Sequence, residues 1–251
     1  MQELENLNLN IIFKNEFSDI KFTKFESVLK TEIINIYNIV KGSNNNLLIE
    51  FVNNDFAIFK PKLGERTLND FPIGTLYKRE YASYILSLIL GWPNIPPTSI
   101  VEIENIGIGS IQKIINNKGL NYFEIIKNNK NEFMKFAIFD SLTNNADRKG
   151  GHCIIDDTDT IWSIDHGVTF HEIFKLRTVM FDIWEDKISN DYIKDIKLLK
   201  MKLSEKKYNN IFLNLLTEKE FEALNIRIDA LIKSKSLPSI NQYENIPWPL
   251  I

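Results

Sequence analysis

A chain of 251 residues that is 44% hydrophobic can bury a substantial core, as one large domain or as two closely packed lobes. A formal net charge of −3, with basic side chains scattered among acidic ones, excludes a global field that would draw the protein to nucleic acid. A single cysteine excludes an internal disulfide framework, no segment reaches the roughly 18–20 apolar residues of a membrane span, and MQELENLNLNIIFKNEF lacks the basic start and apolar run of a signal peptide, so a cytoplasmic protein without a transmembrane segment is expected.

Residues 1–31 show no clean period and read as an N-terminal extension, helical from about Ser18. Three β-rich runs follow, Ile33–Val40, Leu47–Val52 and Phe56–Lys60, separated by the polar turns KGSNNN and NND, which predicts an antiparallel meander. Thr75 is placed to cap a helix over Leu76–Leu90, where Tyr77, Tyr81, Tyr84, Ile85 and Leu88 recur at helical spacing. Gly91 ends it, and Pro93, Pro96 and Pro97 enforce an extended link. Ser99–Glu104 and Ser110–Ile115 read as two further strands. Asn131–Asn144 is apolar on nearly every face and predicts a helix inside a core. After a polar loop come strands at Cys153–Ile155 and Thr160–Ile164 around an acidic turn, then a charged helical stretch from about Asp191 to Lys233. The tail IPWPLI is excluded from helix by Pro247 and Pro249. The order implies an α+β protein with two lobes, an N-lobe over 32–115 and a C-lobe over 116–251.

Within this frame a few polar residues stand where chemistry is done. The turn Gly42–Ser43–Asn44 joins two strands and could lay backbone N–H groups and the Ser43 and Asn44 side chains over phosphate oxygens, although polar hairpin turns are common. Lys60 ends an apolar strand, so its charge either snorkels to solvent or points inward to hold an anion. Glu80, on the next helix, is its natural partner. Asp147 lies on a polar loop after a buried helix, and Asp165 ends a strand just before Gly167. Two carboxylates flanking one hairpin suit an acceptor base and a Mg²⁺ ligand. Arg148 and Lys149 either neutralise transferring phosphate or are solvated, and Lys149 is assigned to phosphate. Asp140, inside the apolar helix, reads as a hydrogen-bonded structural carboxylate.

The segments FAIFKP, KREYASYILSLILGWPNIPPTSIV, GSIQ, NNADRKGGH and SIDHGVTF occur in an order that resembles type II phosphatidylinositol 4-kinases. They look closer still to small bacterial proteins with a phosphatidylinositol 3-/4-kinase-like fold, over about residue 32 to the IPWP motif. The resemblance implies a two-lobed protein-kinase-like fold with a β-rich N-lobe carrying one main helix, and a helical C-lobe containing a catalytic β-hairpin. It implies ATP with Mg²⁺ or Mn²⁺ as cofactors. Lys60 would contact the ATP phosphates with Glu80 as its partner, and the GSIQ strand would be a hinge bonding adenine near Gln112, Lys113 and Ile114. Asp147 would be the catalytic aspartate and Asp165 the metal aspartate. Five residues beyond the catalytic Asp such kinases usually carry Asn; His152 stands there instead, a softer donor than Mg²⁺ prefers, which brings in Mn²⁺, a single-metal mechanism or weak activity.

The function expected is therefore phosphoryl transfer from ATP to a hydroxyl. Its alternatives are a nucleotide-binding pseudokinase and an enzyme that moves AMP on the same fold. Type II lipid kinases carry a cysteine-rich insertion between the lysine and the glutamate helix. Here that interval is LGERTLNDFPIGTLYKR, without Cys, so a protein or small-molecule acceptor is expected ahead of a lipid. All three histidines (His152, His166, His171) and Cys153 cluster within twenty residues and raise a zinc site as a minor possibility.

Overall fold

The computed structural model describes residues 7–12, 20–39, 45–184 and 186–251. The Gly42–Ser43–Asn44 turn, and with it the expected phosphate cover from Ser43 and Asn44, lies outside the described residues. The chain divides into two compact units: Met1–Tyr84 with Pro96–Ile115, and Ile85–Ile95 with Asn116–Ile251.

The first unit holds β1 (Leu9–Ile11), α1 (Ile20–Leu29), β2 (Ile33–Asn38), β3 (Leu47–Phe51), β4 (Phe56–Pro61), the start of α2 (Leu76–Leu90), β5 (Thr98–Ile103) and β6 (Gly107–Lys113). The six strands form one antiparallel sheet in the order β1-β5-β6-β4-β3-β2. Period-two alternation decides what each face carries. Along β4, Ala57, Phe59 and Pro61 are buried, and Ala57 and Phe59 join Ile49, Phe51, Val101 and Ile111 in a core closed by Phe25 and Leu29 of α1. Lys60 is thereby turned to the opposite face. Strands β4 and β6 approach closely at Gly109, where an added Cβ would lie 2.4 Å from the Lys60 carbonyl oxygen and 2.8 Å from Pro61 Cα.

Two local readings are corrected here. Residues within the expected extension are built into the sheet and its core: β1 pairs with β5, and Phe25 and Leu29 are 1% and 2% exposed. The helix expected from about Ser18 is α1, whereas the three residues of β1 are too short for a period to show. At the start of α2 the Thr75 hydroxyl donates to the Pro72 carbonyl (2.7 Å), and it is the Glu65 carboxylate that accepts the Tyr77 N–H (2.9 Å). A carboxylate there meets both an orphan donor and the positive end of the helix dipole.

The second unit takes the end of α2 and adds α3 (Tyr122–Ile125), α4 (Lys130–Thr143), the hairpin β7 (Cys153–Ile155) and β8 (Ile161–Ser163), α5 (Asn190–Ser204), α6 (Lys206–Leu215) and α7 (Glu218–Ser234). Helix α4 is buried from Phe133 onward except at Lys135, as its all-round apolar sequence demands. It stops at Asn144, whose backbone is left-handed (φ 53°, ψ 50°). The Asn144 amide nitrogen donates to the carbonyls of His171 and Ile173, and its oxygen accepts from Lys175 N–H, so one side chain ties the helix end to the segment after Asp165. The long helical stretch at the C-terminal side is three helices, interrupted at Glu205 and again at Thr217, which opens α7 with a capping box to Glu220.

Candidate active site

In the first unit the sheet alternation and the helix period converge on one ion pair. Lys60 Nζ donates to Glu80 Oε1 of α2, with side-chain exposures of 18% and 3%. A charge pair this withdrawn from water needs a reason to exist, because two apolar residues of similar size would serve packing as well. The expected hinge is corrected in part. Lys113 N–H donates to the Pro97 carbonyl (2.9 Å) and Ile114 N–H to the Phe56 carbonyl (3.1 Å), so neither N–H is available to a purine. The Gln112 side chain is likewise engaged, donating to Thr98 Oγ1 at 2.8 Å.

The second unit assembles Asp147, Lys149, His152 and Asp165. Asp147 follows the buried end of α4, and its N–H is held by Asn145 Oδ1 at 3.0 Å, which fixes the loop and leaves the carboxylate half-buried. Lys149 Nζ sits 3.0 Å from Asp147 Oδ2. Burial pushes the Asp147 carboxyl above the usual range; Lys149 opposes the shift and the charge of Asp165 adds to it. Asp165 itself adopts a left-handed backbone (φ 59°), uncommon for a residue with a Cβ and concentrated at functional sites. Its Oδ2 lies 3.3 Å from His152 Nε2, with the Asp165 side chain 47% exposed.

These two donors fit a divalent cation. Two ligands each about 2.1 Å from an ion and at right angles lie roughly 3 Å apart, close to the 3.3 Å observed. Among the described residues no three His, Cys, Asp or Glu side chains converge, so further coordination would come from phosphate oxygens and water, the usual pattern for Mg²⁺. The histidine–cysteine cluster is dispersed. His166 is buried against Arg148, His171 Nδ1 accepts Ile173 N–H, and the buried Cys153 thiol is pushed up to about 12 by burial.

Arg148 is neither solvated nor open to phosphate, the two roles read from its sequence context; it is wholly buried. Its Nε and one terminal nitrogen donate to the two oxygens of Asp140 at 2.7 and 2.9 Å. The cause is legible afterwards. A carboxylate on a helix buried on all sides must be neutralised, and the cation eight residues on is within reach. Asp140 also accepts from the Asn145 side chain at 2.9 Å. The tail touches the same loop, with Gly150 N–H donating to the Leu250 carbonyl at 2.7 Å.

No protein-family model matches the sequence. Protein Rv2133c of Mycobacterium tuberculosis is 30% identical to it over 234 residues, spanning 77% of this chain and 82% of that protein. The chain belongs to the Rv2133c family. Among solved structures, hydra Fam20 determined with sugar matches with a TM-score of 0.55 and 14% identity, over 87% of this chain and 90% of that one. The golgi casein kinase matches with a TM-score of 0.52 and 15% identity, over 92% and 78%. This member of the Rv2133c family therefore has a kinase-like α+β fold of the Fam20 kind, an antiparallel sheet followed by a helical part. The phosphatidylinositol 3-/4-kinase subtype suggested by motif order is not what these neighbours single out. Among the described residues no helix is long and apolar enough to cross a membrane.

Proposed function

We propose that the protein is an ATP-dependent phosphotransferase that moves the γ-phosphoryl group to a hydroxyl on a protein or small molecule. The observation that carries the reading is the buried Lys60–Glu80 pair in a kinase-like fold. Glu80 holds the Lys60 ammonium against the sheet, as a phosphate-binding cation requires. A divalent cation, Mg²⁺ or Mn²⁺, bound by Asp165 and His152 would neutralise phosphate charge. Asp147 orients the acceptor hydroxyl and accepts its proton as the hydroxyl oxygen bonds to the γ-phosphorus and the bond to the β–γ bridging oxygen breaks, leaving ADP. Lys149 stabilises charge on the transferring group. The raised affinity of Asp147 for a proton suits a base, and its ionised form must predominate for turnover. The single, buried Cys153 suits a reducing, cytoplasmic setting.

His152 favours a second reading, a nucleotide-binding pseudokinase, because it replaces the hard oxygen donor expected at that place. Thermal unfolding separates the two. With ATP or ADP at 100 times its Kd, the fold is stabilised by about 2.7 kcal/mol. A rise in Tm that needs both nucleotide and Mg²⁺ or Mn²⁺ is the expected result. A rise with nucleotide alone would favour the pseudokinase, and the absence of any nucleotide effect would remove both readings.

A further inference from the structure

The cation ligands proposed above lie on separate elements, and something must set their separation. His152 ends the loop before β7, and Asp165 follows β8. The hairpin register pairs Cys153 with Ser163, which brings the two ends near each other and leaves the ligand backbones one and two residues beyond the last pair. The Ile164 N–H donates to the His152 carbonyl at 3.0 Å, and the carbonyls of both residues are gripped in addition by one side chain. The second terminal nitrogen of Arg148 donates to the His152 carbonyl at 3.2 Å and to the Ile164 carbonyl at 3.0 Å, so it bridges the first ligand and the residue preceding the second. The nitrogen that meets Asp140 also reaches His166 Nε2 at 3.0 Å, the residue following Asp165. Guanidinium carries donors only, so His166 Nε2 is the acceptor in that contact. All five N–H groups of Arg148 are thus used, and three of them address the residues that carry or flank the ligand pair.

Resting on the assignment of His152 and Asp165 as cation ligands, we propose that Arg148 is a positioning residue that sets the spacing of this pair, with Asp140 fixing the guanidinium on α4. An ordinary buried ion pair needs only the two contacts to Asp140. The fork geometry explains why the residue is arginine: a lysine ammonium cannot keep a bidentate carboxylate contact while bridging two carbonyls. The left-handed Asp165 is held in place by the same bonds, on Ile164 before it and His166 after it.

The test is a Mn²⁺ titration of the thermal shift at fixed, saturating ADP, which is not turned over. The readout is the Mn²⁺ concentration giving half the shift, a quantity separate from the Tm without metal. For Arg148→Lys and for Asp140→Asn it should rise by about 10- to 100-fold, the scale for residues that orient metal ligands. Should Arg148→Lys fail to fold, Asp140→Asn still decides the matter, since it keeps one oxygen acceptor and turns the other into an N–H donor that faces the guanidinium. A lower Tm with an unmoved Mn²⁺ midpoint would make Arg148 a core residue alone and overturn the inference while leaving the cation site intact. A wild-type protein with no Mn²⁺-dependent shift would remove the site itself and the inference with it.

Discussion

Asp147 is held in a surrounding that disfavours its own charge. Burial is the main cause, Asp165 adds to it and Lys149 resists it. A carboxyl whose folded pKa lies above its unfolded value stabilises the fold fully below the ordinary carboxylate range of about 4, and that contribution is lost as pH rises through the folded pKa. Asp147→Asn cannot ionise and escapes the loss. Its Tm relative to wild type should therefore climb from pH 4 toward pH 7, while phosphoryl transfer falls by roughly 10²–10⁴-fold. Differential scanning across that pH range checks the first part, and a flat Tm difference would mean that Lys149 fully offsets burial. The placement of Asp147, Lys149, His152 and Asp165 was legible in the sequence, because they fall on short polar loops between apolar elements. The burial of Arg148 was not, since a cation on a polar loop reads as solvent-facing until its partner, eight residues earlier on a buried helix, is placed.

At the scale of elements, strand β4 and helix α2 are joined by one pair of charges, and the strand's other neighbour by a missing side chain. Lys60→Met removes the cation that the buried Glu80 carboxylate faces, which should cost about 3–5 kcal/mol. Adding Glu80→Met should recover most of that stability in urea unfolding, yet the nucleotide-dependent rise in Tm should stay lost. Recovery of both would make the pair structural only. Gly109→Ala places a Cβ against the backbone of Lys60 and Pro61, which cannot give way without opening the β4–β6 ladder. A loss of about 1–3 kcal/mol or more is expected, confined to the same unfolding measurement. The meander, α2 and α4 were readable because each has a sustained period or a complete apolar circumference. The first strand, the Glu65 cap and the breaks between α5, α6 and α7 were not, because each rests on one or two residues whose partners lie far away in sequence.

At the scale of the whole molecule, fold and chemistry separate. The kinase-like fold is carried by the sheet order and by the solved structures it matches, whereas the direction of transfer depends on which phosphorus faces the acceptor. Lys60, Asp147 and Asp165 would serve either γ-phosphoryl transfer, which leaves ADP, or AMP transfer, which leaves pyrophosphate. The two differ in which bond is cleaved, so the products report it without knowledge of the acceptor. Protein incubated with ATP and Mn²⁺ should release ADP and no pyrophosphate, and should take label from γ-labelled but not α-labelled ATP where it modifies itself. Asp147→Asn should abolish both signals yet keep the metal-dependent rise in Tm, because in the proposed reaction the base acts on the acceptor and not on the nucleotide. Label entering from the α-position would transfer the same residues to AMP chemistry, with Asp147 still accepting the acceptor's proton.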